Sequence, residues 1–344
     1  MHFSQPLGQL AQTRNNNLDI IRFICALLVI LSHAYPLANG SANPLSTATG
    51  GYLSFGGIAV SVFFLYGGFL IAKSTERLKK GLPYFKARCL RIFPPLWFVV
   101  IVCVFLIGPL CTTLSAGEYF TNGQTYRYLL TGTLYLQYEL PGVFTQSAYM
   151  PTVNGSLWTL PVEFACYILC FILYKIGFFK KKWFPWLIPA VVAANIALPL
   201  FLNEGSVLLS ALRPVTLFFI GVGFYIYRDY IRLSFGLSAI FTAIIVLSTP
   251  FGLLPLTFLL LSPYVLFTLA YGFRHPLAHF GKHGEFSYGI YLWAFPIQQI
   301  LSIYFGCTEP LLNFAAAAVL SILMGVVSYR LIEKPVLRLS KKGK

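Results

Sequence analysis

Residues 15–37 read NNNLDIIRFICALLVILSHAYPL, an apolar run interrupted by Asp19, Arg22 and His33. Ionisable side chains in a segment of membrane-spanning length are costly unless they line an enclosed cavity, so all three are functional candidates. At about 100° per residue, the eleven steps from Arg22 to His33 return to within about 20° of the start, which places both on one helical face. They stand about 16 Å apart along the axis, and Asp19 falls on nearly the same stripe. Asp19 and Arg22 are close enough to the start of the run to act as interfacial anchors. His33 is too deep and too short for that. The stripe reads as a polar pathway through a membrane helix.

Composition sets the class. The 344 residues are 57% hydrophobic and only 10% charged, with a mean hydropathy of +0.73. Soluble domains are about 25% charged, so the composition excludes one and points to a polytopic membrane protein. Apolar runs of spanning length occupy about 18–38, 51–72, 93–111, 157–178, 184–202, 211–227, 235–249, 254–273, 287–305 and 312–332. The expected fold is an all-α bundle of about ten transmembrane helices forming a single membrane domain over 1–344, with no appended soluble domain and no internal repeat. The polar start lacks a basic-then-apolar signal, so the first helix is expected to be retained. The seven cysteines are scattered through the apolar runs without zinc or redox spacing. They read as packing residues, and no metal is expected.

The net charge of +15 is unevenly distributed. With the N-terminus inside, the cytoplasmic stretches collect Arg14, the loop KSTERLKKGLPYFKARCLR, Lys180 to Lys182, Arg228, Arg232, Arg274, Lys282 and the tail EKPVLRLSKKGK. Of the 25 Lys and Arg, only Arg127 and Arg213 fall outside. This asymmetry predicts cytoplasmic termini and identifies the basic charge as a topology signal and a contact for anionic lipid, not nucleic acid. The same rule treats YRYLLTGTLYLQY (126–138): as a span it would leave Lys180 to Lys182 outside. Residues 112–156 are therefore expected to form one external excursion holding an interfacial or re-entrant helix.

That excursion ends in VNGSLWTLPVEFACY, which places Glu163 about six residues inside its helix. His33 lies about five residues inside its own helix, so both sit roughly 8–9 Å below the outer surface. A carboxylate beside an imidazole fixes its tautomer and raises its basicity. At the inner face, YFKARCLRIFPPLW presents Lys86, Arg88 and Arg91. Arg88 and Arg91 share a helical face and offer two guanidinium forks suited to the phosphates of a cytosolic ligand.

Six ordered blocks, LDIIRFICALLVILSHAYP, GGIAVSVFFLYGGFLI, RCLRIFPPLW, GSLWTLPVEFACY, FSYGIYLWAFPI and RLIEKP, resemble those of the acyltransferase 3 family from about Asn17 to Pro335. These are bacterial multipass membrane enzymes that O-acylate cell-surface carbohydrates. The resemblance implies that Arg22 and His33 are an essential pair, that Arg88 and Arg91 match the family's Arg-x2-Arg, and that Glu163 matches the carboxylate of the SLW block. It implies cytosolic acetyl-CoA as donor, with no metal, and a sugar hydroxyl at the outer face as acceptor. Two departures stand out: Gly67, Gly68 and Phe69 replace a common Ser-Gly-Phe, and Ala294 in Trp293–Pro296 replaces a common His.

On this reading Arg88, Arg91 and Lys86 hold the polyanionic donor, whose arm threads past Arg22 and Asp19 toward His33. His33 deprotonates the acceptor hydroxyl or carries the acyl group covalently, and the sequence leaves both open. Trp158 and Asn154 are the candidates for oxyanion and substrate contacts. Expected partners are the glycan or lipid-linked sugar acceptor, acyl-CoA and membrane lipids, with a homo-oligomer allowed, in the bacterial inner membrane. A secondary transporter or flippase for an anionic solute or glycan lipid is the alternative. It would not consume a thioester, and the inverted repeat usual in transporters is not visible.

Overall fold

A computed structural model describes residues 2–12, 16–180, 182–202, 206–272, 280–281 and 284–342. Arg14, Lys181, Arg274, Lys282 and Lys344, used in the charge reading, lie outside the described residues. The apolar runs become helices: α1 Leu18–Asn39, α2 Phe55–Leu78, α3 Gly81–Val102, α4 Thr159–Lys175, α5 Leu187–Ala197, α6 Val207–Ile226, α7 Phe235–Leu247, α8 Leu254–Tyr271, α9 Ser287–Phe305 and α10 Pro310–Ser328. Seven segments, built on α1, α2, α3, α4, α6, α8 and α10, are long and apolar enough to cross a membrane. The chain is a polytopic helical membrane protein.

The other three helices fall short of that standard for physical reasons. A 3-10 turn containing Pro199 ends α5 after 11 residues. A 3-10 turn capped by Gly252 at φ +70 ends α7 after 13. Helix α9 has 19 residues but carries Gln298, Gln299 and two serines. The all-α expectation also needs a correction. His2–Pro6 (β1) pairs antiparallel with Arg232–Ser234 (β2), with His2 opposite Ser234 and Pro6 opposite Arg232. Two segments far apart in sequence meet there through backbone hydrogen bonds, which hydropathy does not report. Arg213, expected outside, lies within α6, about 9 Å from its start, because the helix begins at Val207.

Prolines sit inside α1 (Pro36), α3 (Pro94, Pro95), α6 (Pro214), α8 (Pro263) and α9 (Pro296). Each removes an N–H and frees the carbonyl four residues earlier, a group that needs a new partner in an apolar medium. After α3 the chain passes through a π-helical turn, Cys103–Ile107, and a last turn to Cys111. The Tyr119 hydroxyl donates to the Val104 carbonyl there at 2.9 Å.

The contacts divide into two units. One comprises residues 1–25, 58–84 and 162–283. In it α2 and α6 approach at two glycines: a Cβ on Gly68 would stand 1.9 Å from the Phe218 carbonyl oxygen, and one on Gly221 2.0 Å from that of Leu65. Small residues permit such backbone contact between membrane helices. Beside it, Phe224 stacks on Phe267 at 4.4 Å, and Lys73 Nζ donates to the Ala11 carbonyl at 2.9 Å.

The other unit comprises residues 26–57, 85–161 and 284–344. Here α9 lies against α10, where a Cβ on Gly289 would stand 2.9 Å from Gly325 Cα. The segment 112–156 contains only short helical pieces among its described elements, Ala116–Thr121, Gly123–Arg127, the 3-10 turn Tyr128–Thr133 and the start of the 3-10 turn Gly155–Trp158. The first starts with a capping box in which Ser115 and Glu118 bond reciprocally. Those bonds hold the exposed Glu118 carboxyl below its usual pKa. Residues 126–138 thus form the end of a short helix, a 3-10 turn and irregular chain, with no spanning helix.

Candidate active site

His33 lies in α1, six residues before its end, and Pro36 loosens the helix one turn later by leaving the Ser32 carbonyl without an in-helix donor. Its Nδ1 is buried with no hydrogen bond of good geometry. The imidazole meets the edge of Phe295 from α9, with ring centroids 5.3 Å apart at 69°. The other side of Phe295 is fixed by Gly155, where a Cβ would fall 2.9 Å from the phenyl ring. A glycine opening the GSLW block thus gives room to the ring that packs on His33.

The NGSLW stretch is held to α9 by polar contacts that follow from Pro296. That proline frees the Leu292 carbonyl, and Asn154 Nδ2 donates to it at 2.8 Å. Asn154 Oδ1 in turn accepts from Ser156 Oγ at 2.7 Å. The Tyr291 hydroxyl donates to the Ser156 carbonyl and lies 2.7 Å from Thr159 Oγ1. Gln299 donates from Nε2 to the carbonyls of Met150 and Thr152, both at 3.0 Å, and accepts from Ser147 Oγ at 2.9 Å. Asn154 is 1% exposed and Trp158 is half-buried in the 3-10 turn Gly155–Trp158. Ala294 is buried.

In the same unit, α3 carries Lys86, exposed, Arg88, half-buried with Nε shielded from solvent, and Arg91. Arg91 Nη2 pairs with Glu285 Oε1 at 3.3 Å. Its charge also acts on Glu333, buried in the π-helical turn Tyr329–Glu333 after α10. The Tyr288 hydroxyl donates to the Ile92 carbonyl at 3.0 Å, tying α3 to the start of α9.

The remaining candidates belong to the other unit. Asp19, in the first turn of α1, sets its carboxylate against Gly281, where a Cβ would lie 1.9 Å from Oδ2. Arg22 is half-buried, and its charge acts on Cys25, Tyr66 and Tyr271. Tyr66 donates to the Leu266 carbonyl at 2.7 Å. Glu163 is half-buried near the start of α4 and accepts a hydrogen bond from the Tyr167 hydroxyl one turn on.

The sequence reading passed over Gln298, Gln299, Asn313 and Tyr291, which organise the surroundings of His33. The available signal was the Gln pair inside an otherwise apolar run, the same kind of anomaly that singled out His33.

A family model described as an acyltransferase domain matches residues 15–330. The chain is 27% identical over 338 residues to an O-acetyl transferase of Shigella phage Sf6, covering 93% of this chain and 96% of the relative. It is 30% identical over 314 residues to the exopolysaccharide production protein ExoZ of Rhizobium meliloti, covering 84% and 92%. It is 31% identical over 189 residues to nodulation protein 10 of Rhizobium leguminosarum, spanning 52% of this chain and 48% of that one. No solved structure matches.

Proposed function

Because the chain belongs to the acyltransferase 3 family, whose model covers residues 15–330, we propose that it moves an acetyl group from cytosolic acetyl-CoA to a sugar hydroxyl of a cell-surface or lipid-linked glycan. The observation that carries this reading is His33, a membrane-embedded imidazole packed on Phe295 and, through it, on the GSLW block. The similarity to a phage O-acetyl transferase and to an exopolysaccharide production protein supports the acyl group and the acceptor class. The enzyme works in the bacterial inner membrane with cytoplasmic termini and about ten helical crossings, the shorter α5 and α7 among them.

His33 acts on the acceptor hydroxyl as general base or takes the acyl group as nucleophile. In either case the thioester C–S bond breaks, the acyl carbon joins the sugar oxygen, and the hydroxyl proton ends on the coenzyme A thiol. Lys86, Arg88 and Arg91 engage the donor phosphates. At Arg91 the incoming phosphate exchanges with Glu285, a half-buried carboxylate that pairs with the guanidinium, so one anion replaces another. Glu163 serves the chemical step, and Arg22 with Asp19 serves donor engagement. Trp158 faces the substrate, and Asn154 serves the site through the backbone it caps.

The test is release of free coenzyme A by purified protein in detergent, with acetyl-CoA and a lipid-linked oligosaccharide present, together with a 42 Da mass gain on the sugar, roughly one acetyl replacing one hydrogen. Acceptor-dependent release with that gain supports the proposal. A protein that binds the glycan but consumes no thioester is a transporter or flippase.

A further inference from the structure

The polar cluster in α9 and α10 has more order than membrane packing requires. Gln298 and Asn313 are both 0% exposed. Gln298 Nε2 donates to the Ile30 carbonyl of α1 at 2.9 Å and to Asn313 Oδ1 at 3.0 Å. Asn313 Nδ2 donates to the carbonyls of Gln298 and Cys307 at 3.2 and 3.3 Å. These acceptors fix both amide orientations, since reversing either group would set oxygen against oxygen. The pair therefore clamps α9, α10 and the backbone of α1 at one point. That point lies three residues before His33, on the helix that Pro36 loosens three residues after it.

Stability alone does not account for the clamp. Gln298 Oε1 is buried with no hydrogen-bond partner, so the amide leaves one acceptor unmet in an apolar medium where Leu or Met would leave none. Phe295, which packs on the imidazole, lies three residues before Gln298 on the same face of α9. One surface of α9 thus holds both the ring of His33 and the helix that carries it.

We propose that Gln298, braced by Asn313, is a positioning residue that sets the depth and orientation of the His33 imidazole. The inference rests on the catalytic reading of His33 given above. A reactive group displaced by about 1 Å costs about a hundredfold in rate. Loss of the clamp should therefore lower kcat by about ten- to a hundredfold with the KM for acetyl-CoA unchanged.

The test uses full-length protein in detergent with Gln298→Met, which keeps the volume. Two quantities are read: the KM–kcat split, and the rate at which diethyl pyrocarbonate modifies His33, followed by peptide mass. The second does not depend on activity. Gln298→Met should lower kcat and change the modification rate of His33 at an unchanged melting temperature. Wild-type kcat and wild-type modification in folded Gln298→Met would overturn the proposal. If Gln298→Met does not fold, Gln298→Asn, whose shorter amide cannot span the same gap, takes its place under the same criteria. A changed modification rate combined with full activity of His33→Ala would leave the clamp standing and remove the catalytic reading on which its purpose rests.

Discussion

Asn154 offers a test of how the site is built, because its bond answers a defect the sequence introduces. Pro296 cannot donate to the Leu292 carbonyl, and Asn154 Nδ2 does so from 2.8 Å while 1% exposed. Asn154→Leu keeps the branched shape and removes the donor. A buried carbonyl left unmet costs about 1–3 kcal/mol. The Ser156 hydroxyl also loses its acceptor, but it can rotate and adds less, so the total is about 2–3 kcal/mol. Pro296→Ala restores an N–H that reaches Leu292 within the helix. In that background Asn154→Leu should cost under about 1 kcal/mol, a coupling of about 1–2 kcal/mol for residues 142 positions apart. Equilibrium unfolding of the four proteins in mixed detergent micelles, followed by far-UV circular dichroism, supplies the cycle. Equal costs of Asn154→Leu in both backgrounds would refute the reasoning and return Asn154 to a direct role at the substrate.

Further outcomes follow from the same geometry. Arg88→Ala and Arg91→Ala should each weaken donor affinity by about 1.5–3 kcal/mol, roughly ten- to a hundredfold in KM for acetyl-CoA, with kcat at saturation less affected; unchanged donor affinity in both would leave them as topology charges. Glu163→Gln should lower kcat strongly at an unchanged donor KM, whereas Arg22→Ala should raise donor KM or loosen packing around Tyr66 and Tyr271; the reverse pattern in steady-state kinetics would mean the roles are exchanged. Gly68→Ala should destabilise by at least about 1–3 kcal/mol because its Cβ would meet the Phe218 backbone at 1.9 Å. Gly67→Ser, whose Cβ would find only the Phe218 ring at 3.9 Å, should be tolerated, and thermal melting separates the two.

That last pair also shows what the sequence can and cannot reveal. Gly67 differs from the family's common serine, yet the space at 67 is open, while the shared glycine at 68 is the one that backbone contact demands. The helices were legible because apolar runs of spanning length can fold only as helices in lipid. His33 and Arg22 stood out because charge in such runs is rare, and the Arg88–Arg91 pair because three-residue spacing sets both on one helical face. Helix ends were less legible: the apolar run starts at about 93, whereas α3 begins at Gly81, because the helix continues back through the basic residues Lys86, Arg88 and Arg91 that interrupt the hydropathy. The β1–β2 pairing was hidden, since it joins residues 2–6 to 232–234 through backbone groups common to every residue. The partners of His33 were hidden for a similar reason. Phe295 looks like any core phenylalanine, and Gln298 acquires meaning only when α9 and α10 bring it to the Ile30 carbonyl.

The most direct measurement is the single-turnover rate of acyl transfer by His33→Ala, with saturating radiolabelled acetyl-CoA and acceptor, in protein shown to be folded by its melting temperature. Removing a general base or nucleophile at the reacting centre predicts a loss of at least about a hundredfold with donor binding intact. Retention of more than about a tenth of the wild-type rate would contradict the account, because the imidazole of α1 would then be a packing residue and the chemistry would belong elsewhere.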